Sequence, residues 1–457
     1  MMVQDGRKRT QRERLVGGMV AVANRAGYAS ANVSAVIGDA GVSRPTFYDY
    51  FADRDDCFLA AIADTQERLL AVVGEAVEGR PPQEAPAAVV EALVGFASAE
   101  PALARFLMSE SMAGGPRALD VRDSGIAGIA AVVEEAQGRV PAESATPDVE
   151  HQVLLGGIYR LLATRLRRGE PAISRLIDEL LPWIKSYEQP IGEHRWRTLS
   201  PSKRPPPSPH VPDVPIQQMP SVLPPGRPRI SEEEVAENHR LRILYAAARM
   251  AESKGYTATT VADITKFARV DGHVFYRLFS DKQDAFMSVH ELGFQQVMDV
   301  TSKAFFAGKD WPDRSWEAGR ALTQLLEDNP LVAHVGFVEA YAVGPGAVQR
   351  IEDSHTAFTF FLQEGLVYRK QAHPPSRTAM EAIITCIFEI IYRQSRHGGK
   401  PEVASMLPHI AHVWLTPFLG PQDAGEFIDR QLEVGADAQS QVAKAPAGPR
   451  RRASDRT

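Results

Sequence analysis

Two segments of the chain carry hydroxyl, guanidinium and aromatic side chains at a spacing suited to contacts with nucleic acid. In the first, residues 33–40 and 44–51 each predict a short helix, and Gly41-Val42-Ser43 joins them. Two short helices joined by such a turn form a helix-turn-helix, whose second helix can enter the major groove of DNA. The side chains expected to reach phosphates or base edges from this segment are Ser43, Arg44, Thr46, Tyr48, Tyr50 and Arg54.

The side chains between these candidates predict how the segment folds. Ser43 is expected to cap the second helix by accepting from a backbone N–H. Phe47 and Phe51 are expected to face the core, and Asp53 with Asp56 fits a capping box at the start of the next helix.

The same pattern recurs 228 residues further along the chain. The matched pairs are Gly27 with Gly255, Tyr28 with Tyr256, Phe47 with Phe275, Tyr48 with Tyr276, Phe51 with Phe279, Asp53 with Asp281 and Phe58 with Phe286. A repeat of this kind indicates a duplicated unit. The side chains expected to contact DNA from the second segment are His273, Tyr276, Arg277 and Lys282.

The two segments differ at two positions that matter for binding. Gly41 stands in the first turn, where a positive φ is easily adopted, whereas Arg269 stands in the second. Tyr50 can donate to a phosphate, whereas Leu278 cannot. We therefore predict that the first segment reads sequence and that the second binds more by charge, so that the preferred site is an imperfect palindrome or a single strong half-site.

These residues resemble the recognition segment of the tetracycline repressor (TetR) family of bacterial regulators. The match is plain in Ala40-Gly41-Val42-Ser43-Arg44-Pro45-Thr46-Phe47-Tyr48-Asp49-Tyr50-Phe51 followed by Arg54. It is looser in Ala268-Arg269-Val270-Asp271-Gly272-His273-Val274-Phe275-Tyr276-Arg277-Leu278-Phe279 followed by Lys282. The resemblance implies a helical domain after each DNA-binding segment, with a small-molecule effector on its inner face and a dimer interface formed by its last two helices.

The resemblance also implies a function. We expect a one-component transcriptional regulator, a repressor, whose effector shifts the population of conformers so that the two DNA-binding segments no longer match half-sites one helical turn apart. The alternative is a helical small-molecule-binding protein or enzyme that kept the fold and lost DNA binding. Salt-dependent binding to operator DNA would separate the two.

The repeat extends well beyond the DNA-binding segments, because Pro101, Glu110, Gly115 and Pro116 match Pro330, Glu339, Gly344 and Pro345 at an offset of 229. Helical periodicity dominates both copies, and no sustained alternation typical of strands occurs. The predicted fold class is therefore all-α, with two tandem units. The predicted order is a basic arm at 1–10, a DNA-binding domain at 11–58 (head one), an effector and dimerisation domain at 59–190, a linker at 191–230, a second DNA-binding domain at 231–286 (head two), a second effector and dimerisation domain at 287–432, and a disordered basic tail at 433–457.

Each unit is predicted to end in two helices, at 150–168 and 171–187 in unit one and at 377–396 and 401–418 in unit two. We expect these helices to pair the units into an intramolecular pseudo-dimer. A homodimer of such chains stays open as an alternative. Tethering would favour pairing within the chain, because it raises the effective concentration of the partner surface.

The linker is set apart by its composition. Eleven of the 28 residues from Pro201 to Pro228 are proline, which excludes a helix interior or a paired strand. Gly226-Arg227-Pro228 resembles the core of an AT-hook, in which arginine lies in a narrow minor groove. The alternative, which we favour, is that these three residues only form the end of the linker and do not bind DNA.

The effector site is predicted from aromatic and acidic residues on the later helices. The candidate residues are Phe106, Glu110, Phe337, Glu339 and Tyr341. The alternative is that the aromatic residues only fill the core and that the two glutamates make interhelical or capping hydrogen bonds. Because these segments are apolar, we expect a lipophilic or aromatic effector.

Composition excludes several other classes. The two cysteines, Cys57 and Cys386, rule out a disulfide framework. No catalytic motif, metal-ligand spacing or phosphate loop is present, so we expect no enzyme activity, metal or cofactor. No apolar run approaches the length of a membrane span and no signal-peptide core follows Arg7, Lys8 and Arg9, which predicts a cytoplasmic, nucleoid-associated protein whose partners are operator DNA and an effector.

Overall fold

The fold was obtained as a computed structural model that describes residues 10–138, 149–187, 194, 196, 205–212, 218–223, 230–368, 374–397 and 399–444. The arm at 1–9, the stretch Gly226-Arg227-Pro228 and residues 445–457 lie outside this part of the chain. The described residues form α-helices joined by turns, 3₁₀ turns and one π-helical segment, with no β-strand among them. The fold is therefore all-α.

The described residues of unit one form nine α-helices. They are α1 (Gln11–Ala26), α2 (Val33–Ala40), α3 (Arg44–Tyr50), α4 (Arg54–Val77), α5 (Ala85–Ala99), α6 (Pro101–Met108), α7 (Gly115–Ala136), α8 (Val149–Arg167) and α9 (Leu176–Lys185).

Unit two repeats this order with more interruptions. Its helices are α10 (Glu232–Lys254), α11 (Val261–Ala268), α12 (Gly272–Leu278), α13 (Lys282–Ala307), α14 (Trp311–Asp328), α15 (Pro330–His334), α16 (Ala340–Val343), α17 (Pro345–Phe358), α18 (Phe360–Gln363), α19 (Gly365–Tyr368), α20 (Arg377–Ser395), α21 (Leu407–Leu419) and α22 (Pro421–Lys444). A π-helical segment, Val335–Glu339, lies between α15 and α16.

Three element boundaries differ from the sequence expectation. The helices expected from 171 and 401 begin later, at Leu176 and Leu407, because a 3₁₀ turn fills the space after each proline. The tail expected to be disordered from 433 continues as α22 to Lys444. That helix is anchored where its first turns pack on the core: Ile428 is fully buried, and Phe427 lies edge-on to Trp316 at 6.3 Å between ring centroids. Because the first turns of α22 are fixed to the core, the helix continues through the polar residues that follow.

The apolar core divides unequally between the heads. Head one shares one continuous hydrophobic cluster with the helical domains of both units. Head two has a cluster of its own, to which the second helical domain contributes Leu331, Val335, Val343 and Ala347. The residues that join head two to its helical domain thus include the start of the π-helical segment.

Helices α8 and α20 cross in the interior and join the two units. Thr385 Oγ1 donates to the carbonyl of Gly157 at 2.9 Å. A Cβ at Gly157 would overlap Cys386 Sγ and would stand 2.9 Å from the Cys386 backbone nitrogen. Glycine is therefore required at the crossing, because only a missing side chain lets the two backbones approach this closely.

The ion pairs around the crossing are arranged with approximate two-fold symmetry. Arg167 of unit one pairs with Glu352 of unit two, and Arg396 of unit two pairs with Asp123 of unit one. Arg396 follows Arg167 by 229 residues, and Glu352 follows Asp123 by the same 229 (396 − 167 and 352 − 123). Reciprocal contacts between equivalent residues are the property of an isologous interface. The two units therefore face each other as the halves of a dimer do.

Described parts of the linker run along unit two. The ring of Trp196 is almost fully buried and lies 5.4 Å from the rings of His409 and His412 on α21. Further on, Ser208 N donates to Gln324 Oε1 at 2.5 Å, and Asn238 Nδ2 donates to the carbonyl of Ser221 at 3.2 Å. These segments are fixed to the surface of unit two over part of their length.

One helix pair among the described residues has the length and composition of a membrane span. It joins Pro82–Ala99 to Pro101–Ala113 across a bend of 115°. No single helix in the described part of the chain is long and apolar enough to cross a membrane.

The crossing yields a matched pair of glycine substitutions. Gly157→Ala should lower the free energy of unfolding by about 1–3 kcal/mol, because the added methyl group must push α8 and α20 apart. Gly95→Ala, on an exposed face of α5 where a Cβ meets nothing within 4 Å, should raise it by about 0.5–1 kcal/mol. Urea unfolding followed by circular dichroism measures both, and a Gly157→Ala protein as stable as Gly95→Ala would show that the close approach is wrong.

Candidate nucleic-acid interface

Local hydrogen bonds define the helix-turn-helix of head one. The side chain of Asn32 accepts from Ala35 N at 3.0 Å and begins α2, and the side chain of Ser43 accepts from Thr46 N at 3.3 Å and begins α3. Between the helices Gly41 adopts the left-handed conformation, with φ of 61°. The capping function expected of Ser43 is therefore observed.

Helix α1 supports this motif from behind. A Cβ at Gly18 would stand 2.9 Å from the carbonyl oxygen of Val36, so α1 and α2 are in backbone contact. The guanidinium of Arg14 donates to the carbonyl of Gly41 at 2.8 Å and fixes the turn. Phe47 is fully buried and its ring centroid lies 5.7 Å from that of Phe51, which anchors α3 to the core.

Helix α3 presents a mixed aromatic and polar face to solvent. The side chains of Tyr48 and Tyr50 are 51% and 45% exposed, which is unusual for tyrosine. Arg44 lies beside them and donates to Ser34 Oγ on α2 at 2.7 Å. Thr46 is half-buried, with its Oγ1 2.8 Å from Ser43 Oγ. Five of the six candidates in this head thus lie on α3 or at its N-terminus, with two exposed phenols among them.

Head two builds the same motif with different side chains. Thr260 and Asp263 form a reciprocal capping box on α11, and Asp271 accepts from His273 N at 2.8 Å to begin α12. Arg269 occupies the turn in the left-handed conformation, with φ of 50°, and among the described non-glycine residues it is the one with a positive φ. A left-handed non-glycine residue carries a strain of order 1 kcal/mol, which Gly41 avoids in head one.

The exposed face of α12 is more cationic than that of α3. Tyr276 is 62% exposed, and His273 and Arg277 are exposed beside it. Leu278, in the position of Tyr50, packs partly into the apolar core of head two. The turn is held by Arg242, which donates to the carbonyl of Ala268 at 2.6 and 2.9 Å and stands in the position of Arg14.

Arg54 and Lys282, expected to reach phosphates, make bonds within their own heads. Arg54 lies over the ring of Tyr28 at 4.5 Å and donates to its hydroxyl at 3.0 Å. Lys282 lies over the ring of Tyr256 at 4.2 Å and donates to the carbonyls of Tyr256 and Thr259 at 2.9 and 2.8 Å. Burial and a hydrogen bond to Asp55 raise the pKa of Tyr28 to about 12, so its hydroxyl stays protonated.

Glu110 and Glu339 connect the heads to the helical domains. Glu110 accepts from the backbone N–H of Tyr28 at 3.3 Å, and Glu339 accepts from that of Tyr256 at 2.6 Å. Burial raises the pKa of Glu110, against the charge of Arg105. In unit two His334 takes the place of Arg105, with its Nε2 3.4 Å from Glu339 and its Nδ1 3.0 Å from the carbonyl of Ser395.

The other predicted effector residues lie in different surroundings. Phe106 is fully buried, with its ring edge-on to Phe58 at 5.2 Å. The hydroxyl of Tyr341 accepts from Arg160 of unit one. Phe337 borders a narrow cavity of about 40 Å³ between α13, the π-helical segment and α20. A second narrow cavity, of about 50 Å³, lies on the other side of Phe358 and Phe388.

The walls of the two cavities are almost entirely apolar. The residues around the first are Val289, His290, Gly293, Phe294, Val297, Val332, Val335, Gly336, Phe337, Ser354, Phe358 and Phe388. Three buried polar atoms among the cavity-lining residues have no hydrogen-bond partner in the described part of the chain. They are His290 Nδ1 in the first cavity, and Thr301 Oγ1 and Trp414 Nε1 in the second. Burial lowers the pKa of His290 to about 4, so its imidazole is neutral at pH 7.

Residues that sequence reasoning missed form a buried cluster between the two units. Glu389 of α20, which has no exposed surface, pairs with Arg122 of α7 at 2.9 Å and with Arg160 of α8 at 2.9 Å. Burial alone would raise the pKa of Glu389, but the charges of Arg122, Arg160 and Arg393 outweigh it and hold the pKa well below its usual range. The signal available was an ionisable residue inside an otherwise apolar helical run, at equivalent positions of the repeat.

Metal chemistry finds no site in the described part of the chain, where no group of three or more histidine, cysteine, aspartate or glutamate side chains is placed to hold an ion.

Similarity to solved structures is low in identity and covers one unit's length. The fatty acid degradation regulator FadR from Bacillus halodurans is 18% identical, over 36% of this chain and 92% of that one, with a TM-score of 0.32. A TetR family transcription regulator from Marinobacter aquaeolei VT8 is 20% identical over 45% and 97%, with a TM-score of 0.32. A bacterial regulatory protein in the tetR family from Rhodococcus RHA1 is 21% identical over 43% and 96%, also with a TM-score of 0.32.

The family assignment rests on the DNA-binding segments themselves. No curated protein matches the chain. The family model for bacterial regulatory proteins of the tetR family matches twice, at residues 20–61 and 243–288, and each match spans one helix-turn-helix, α2–α3 or α11–α12. The chain therefore carries two helix-turn-helix segments of the kind found in bacterial regulatory proteins of the tetR family, one in each unit.

Proposed function

We propose that this regulator is a repressor in which one chain supplies both heads for a single operator, and that a lipophilic or aromatic effector in unit two releases the DNA. The observation that carries the proposal is the pairing of two non-identical helix-turn-helix motifs within one chain through an isologous interface. In such an arrangement the chain needs no second copy to contact two half-sites. Binding to an operator would place it at the nucleoid.

The contact residues we propose follow from exposure and chemistry. Tyr48 and Tyr276 are the exposed phenols at equivalent positions of the two recognition helices and can donate to phosphates. Arg44, Tyr50, His273 and Arg277 lie beside them. Ser43 and Thr46 act at the N-terminus of α3, where backbone N–H groups also favour an anion. Arg54 and Lys282 contribute indirectly, by stacking on Tyr28 and Tyr256 and stiffening each head.

Effector binding is proposed at the two cavities of unit two. Phe358 and Phe388 separate them, so rotation of either ring would merge them into one larger apolar site. The walls suit an aliphatic or aromatic body, and the neutral imidazole of His290 and the hydroxyl of Thr301 suit one or two uncharged polar atoms. A ligand of this class gains mainly from apolar burial, about 25 cal/mol per Å².

The route from the cavity to head two is short. The π-helical segment Val335–Glu339 lines the first cavity with Phe337 and ends at Glu339, whose carboxylate holds the backbone N–H of Tyr256. Single π turns inside helices are frequent at functional sites. Displacement of Phe337 by a ligand would turn the segment and release Tyr256, which reorients head two relative to head one.

The DNA contacts are tested by comparing the two heads. Tyr48→Ala and Tyr276→Ala should each lower operator affinity, by about 1–3 kcal/mol for a lost contact, with the larger loss from Tyr48→Ala. Binding is measured by fluorescence anisotropy at two salt concentrations on an operator located by footprinting. In Tyr48→Ala the charge contacts of head two should supply most of the remaining binding free energy. A rise in salt concentration should therefore remove a larger share of that free energy than in the unaltered chain.

Controls distinguish the loss of a DNA contact from the unfolding of a head, and a DNA-binding regulator from a small-molecule-binding protein. Phe51→Ala should unfold head one, with a cost of about 3–5 kcal/mol, while both tyrosine variants keep their helical content. Equal losses from Tyr48→Ala and Tyr276→Ala would contradict unequal heads. Absence of salt-dependent DNA binding by the unaltered chain would favour the alternative, a small-molecule-binding protein that no longer binds DNA. Operator affinity that neither substitution changes would remove both tyrosines from the interface.

The effector site is tested with the neutral fluorescent probe N-phenyl-1-naphthylamine. The probe should bind with a rise in emission and should weaken operator binding. Val297→Phe fills the first cavity, so probe affinity should fall at least about tenfold, or about 1.4 kcal/mol, while DNA affinity is kept. The matched control is Val367→Phe at a side chain that is 82% exposed. Probe binding that is the same in Val297→Phe as in the unaltered chain would place the effector elsewhere.

A further inference from the structure

The buried cluster at the α8–α20 crossing joins equivalent positions of the two units. Glu389 follows Arg160 by 229 residues, the offset that also relates Arg167 to Arg396. Arg160 Nε donates to Glu389 Oε2 at 2.9 Å. Cys386 follows Gly157 by the same offset and lies against it. A residue contacts its own equivalent only beside the two-fold axis of an isologous interface, so these two positions mark the axis.

At both positions on the axis the two units carry different residues, and in each pair the two side chains are complementary in charge or in size. At 160 and 389 a cation meets an anion, with the arginine 5% exposed and the glutamate fully buried. At 157 and 386 a glycine meets a cysteine, whose side chain fills the space left by the missing Cβ. Complementary differences on an axis give specificity, because a symmetric pair of either unit would place each residue against itself.

We propose that this axis makes the interface selective for unlike partners, so that α20 accepts a helix with the cation and glycine pattern of α8 and rejects a second copy of itself. Selective pairing is separate from the repressor function proposed above, since it concerns which units can pair and holds whether or not an effector binds.

Pairing of unit one with another unit one would leave buried cations without an anion. Arg160 has Glu389 as its carboxylate partner in the structure, and that partner would be replaced by a second Arg160. Arg122, 1% exposed, would keep Asp123 but lose its bidentate contact with Glu389 at 2.9 and 3.1 Å. Buried like charges side by side are strongly unfavourable.

Pairing of unit two with another unit two would strip Glu389 of most of its partners. The position equivalent to Arg122 in unit two is Ile351, which offers no charge (351 − 122 = 229). Each Glu389 would retain Arg393, at 3.2 Å on its own helix, and would face a second buried carboxylate. At the other axial position two Cys386 side chains would compete for space that now accommodates one.

The selectivity has a consequence for DNA recognition. Because like units reject each other, every assembled pair of heads contains one head one and one head two. The motif with Gly41 and Tyr50 is then always presented together with the motif that carries Arg269 and Leu278. A perfectly palindromic operator gains nothing from such a pair, and an asymmetric operator is favoured.

The test reverses the charges in full-length chains. In the Glu389→Arg chain four arginines, at positions 122, 160, 389 and 393, would meet at the crossing, and pairing within the chain should fail. In an Arg160→Glu chain, unit one offers the missing carboxylate. Co-expression of the two chains with different affinity tags should therefore give a two-chain complex, seen by tandem purification and native mass spectrometry, in at least tenfold higher yield than from two tagged copies of the unaltered chain.

Three comparisons make the result specific. The double variant Arg160→Glu/Glu389→Arg restores one carboxylate among three arginines within one chain, so its two-chain yield should return to that of the unaltered chain. Arg80→Glu, which breaks the exposed Arg80–Glu91 pair of unit one, should leave the yield unchanged. Selective pairing would be overturned by Glu389→Arg chains that co-purify with each other as readily as with Arg160→Glu chains, or by a mixed yield no higher than that of the unaltered chain.

Discussion

The pairing of the two units depends on the buried carboxylate of Glu389, which three arginines hold beside the crossing of α8 and α20. An uncompensated charge at this depth would be very costly, and removal of one partner from a buried pair costs about 3–5 kcal/mol. Since Arg122 and Arg160 belong to unit one and Glu389 to unit two, neither unit satisfies these groups alone. The ion cluster and the close contact at Gly157 therefore bind the two helical domains into one body and set the distance between the heads that they carry.

The heads diverged on top of this shared frame. Each keeps the backbone bonds that shape the motif, with an arginine from α1 or α10 holding a carbonyl at or next to the turn and a cation stacked on a tyrosine after that helix. What differs is the surface offered to DNA: Tyr50 in one head, Leu278 and the left-handed Arg269 in the other. In a symmetric dimer both copies must change together, whereas a tandem chain can change one head at a time. The same freedom applies to the helical domains, where the narrow cavities and the π-helical segment described here lie in unit two.

Much of this was accessible from the sequence because it depends on local chemistry. The helix-turn-helix boundaries follow from Ser43, Gly41 and the spacing of Phe47 and Phe51, all of which act within a few residues. Other features depend on partners far along the chain and left no local pattern. The sequence alone suggested that Arg54 and Lys282 were free to bind phosphates, but in the structure they stack on Tyr28 and Tyr256. The role of Glu339 likewise depends on its contact with the backbone N–H of Tyr256. The partnership of Arg160 with Glu389 could have been suspected by aligning the two copies, since opposite charges occupy one repeat position, yet only the crossing of the helices shows that the position faces itself.

The most direct measurement of the central claim is the stoichiometry of the operator complex, determined by native mass spectrometry on DNA whose two half-sites have been mapped by footprinting. One chain of 50.1 kDa per operator, with protection of both half-sites and unequal protection of the two, is the result that a pair of unlike heads within one chain predicts. Two chains per operator, each protecting a single half-site through the same head, would contradict it.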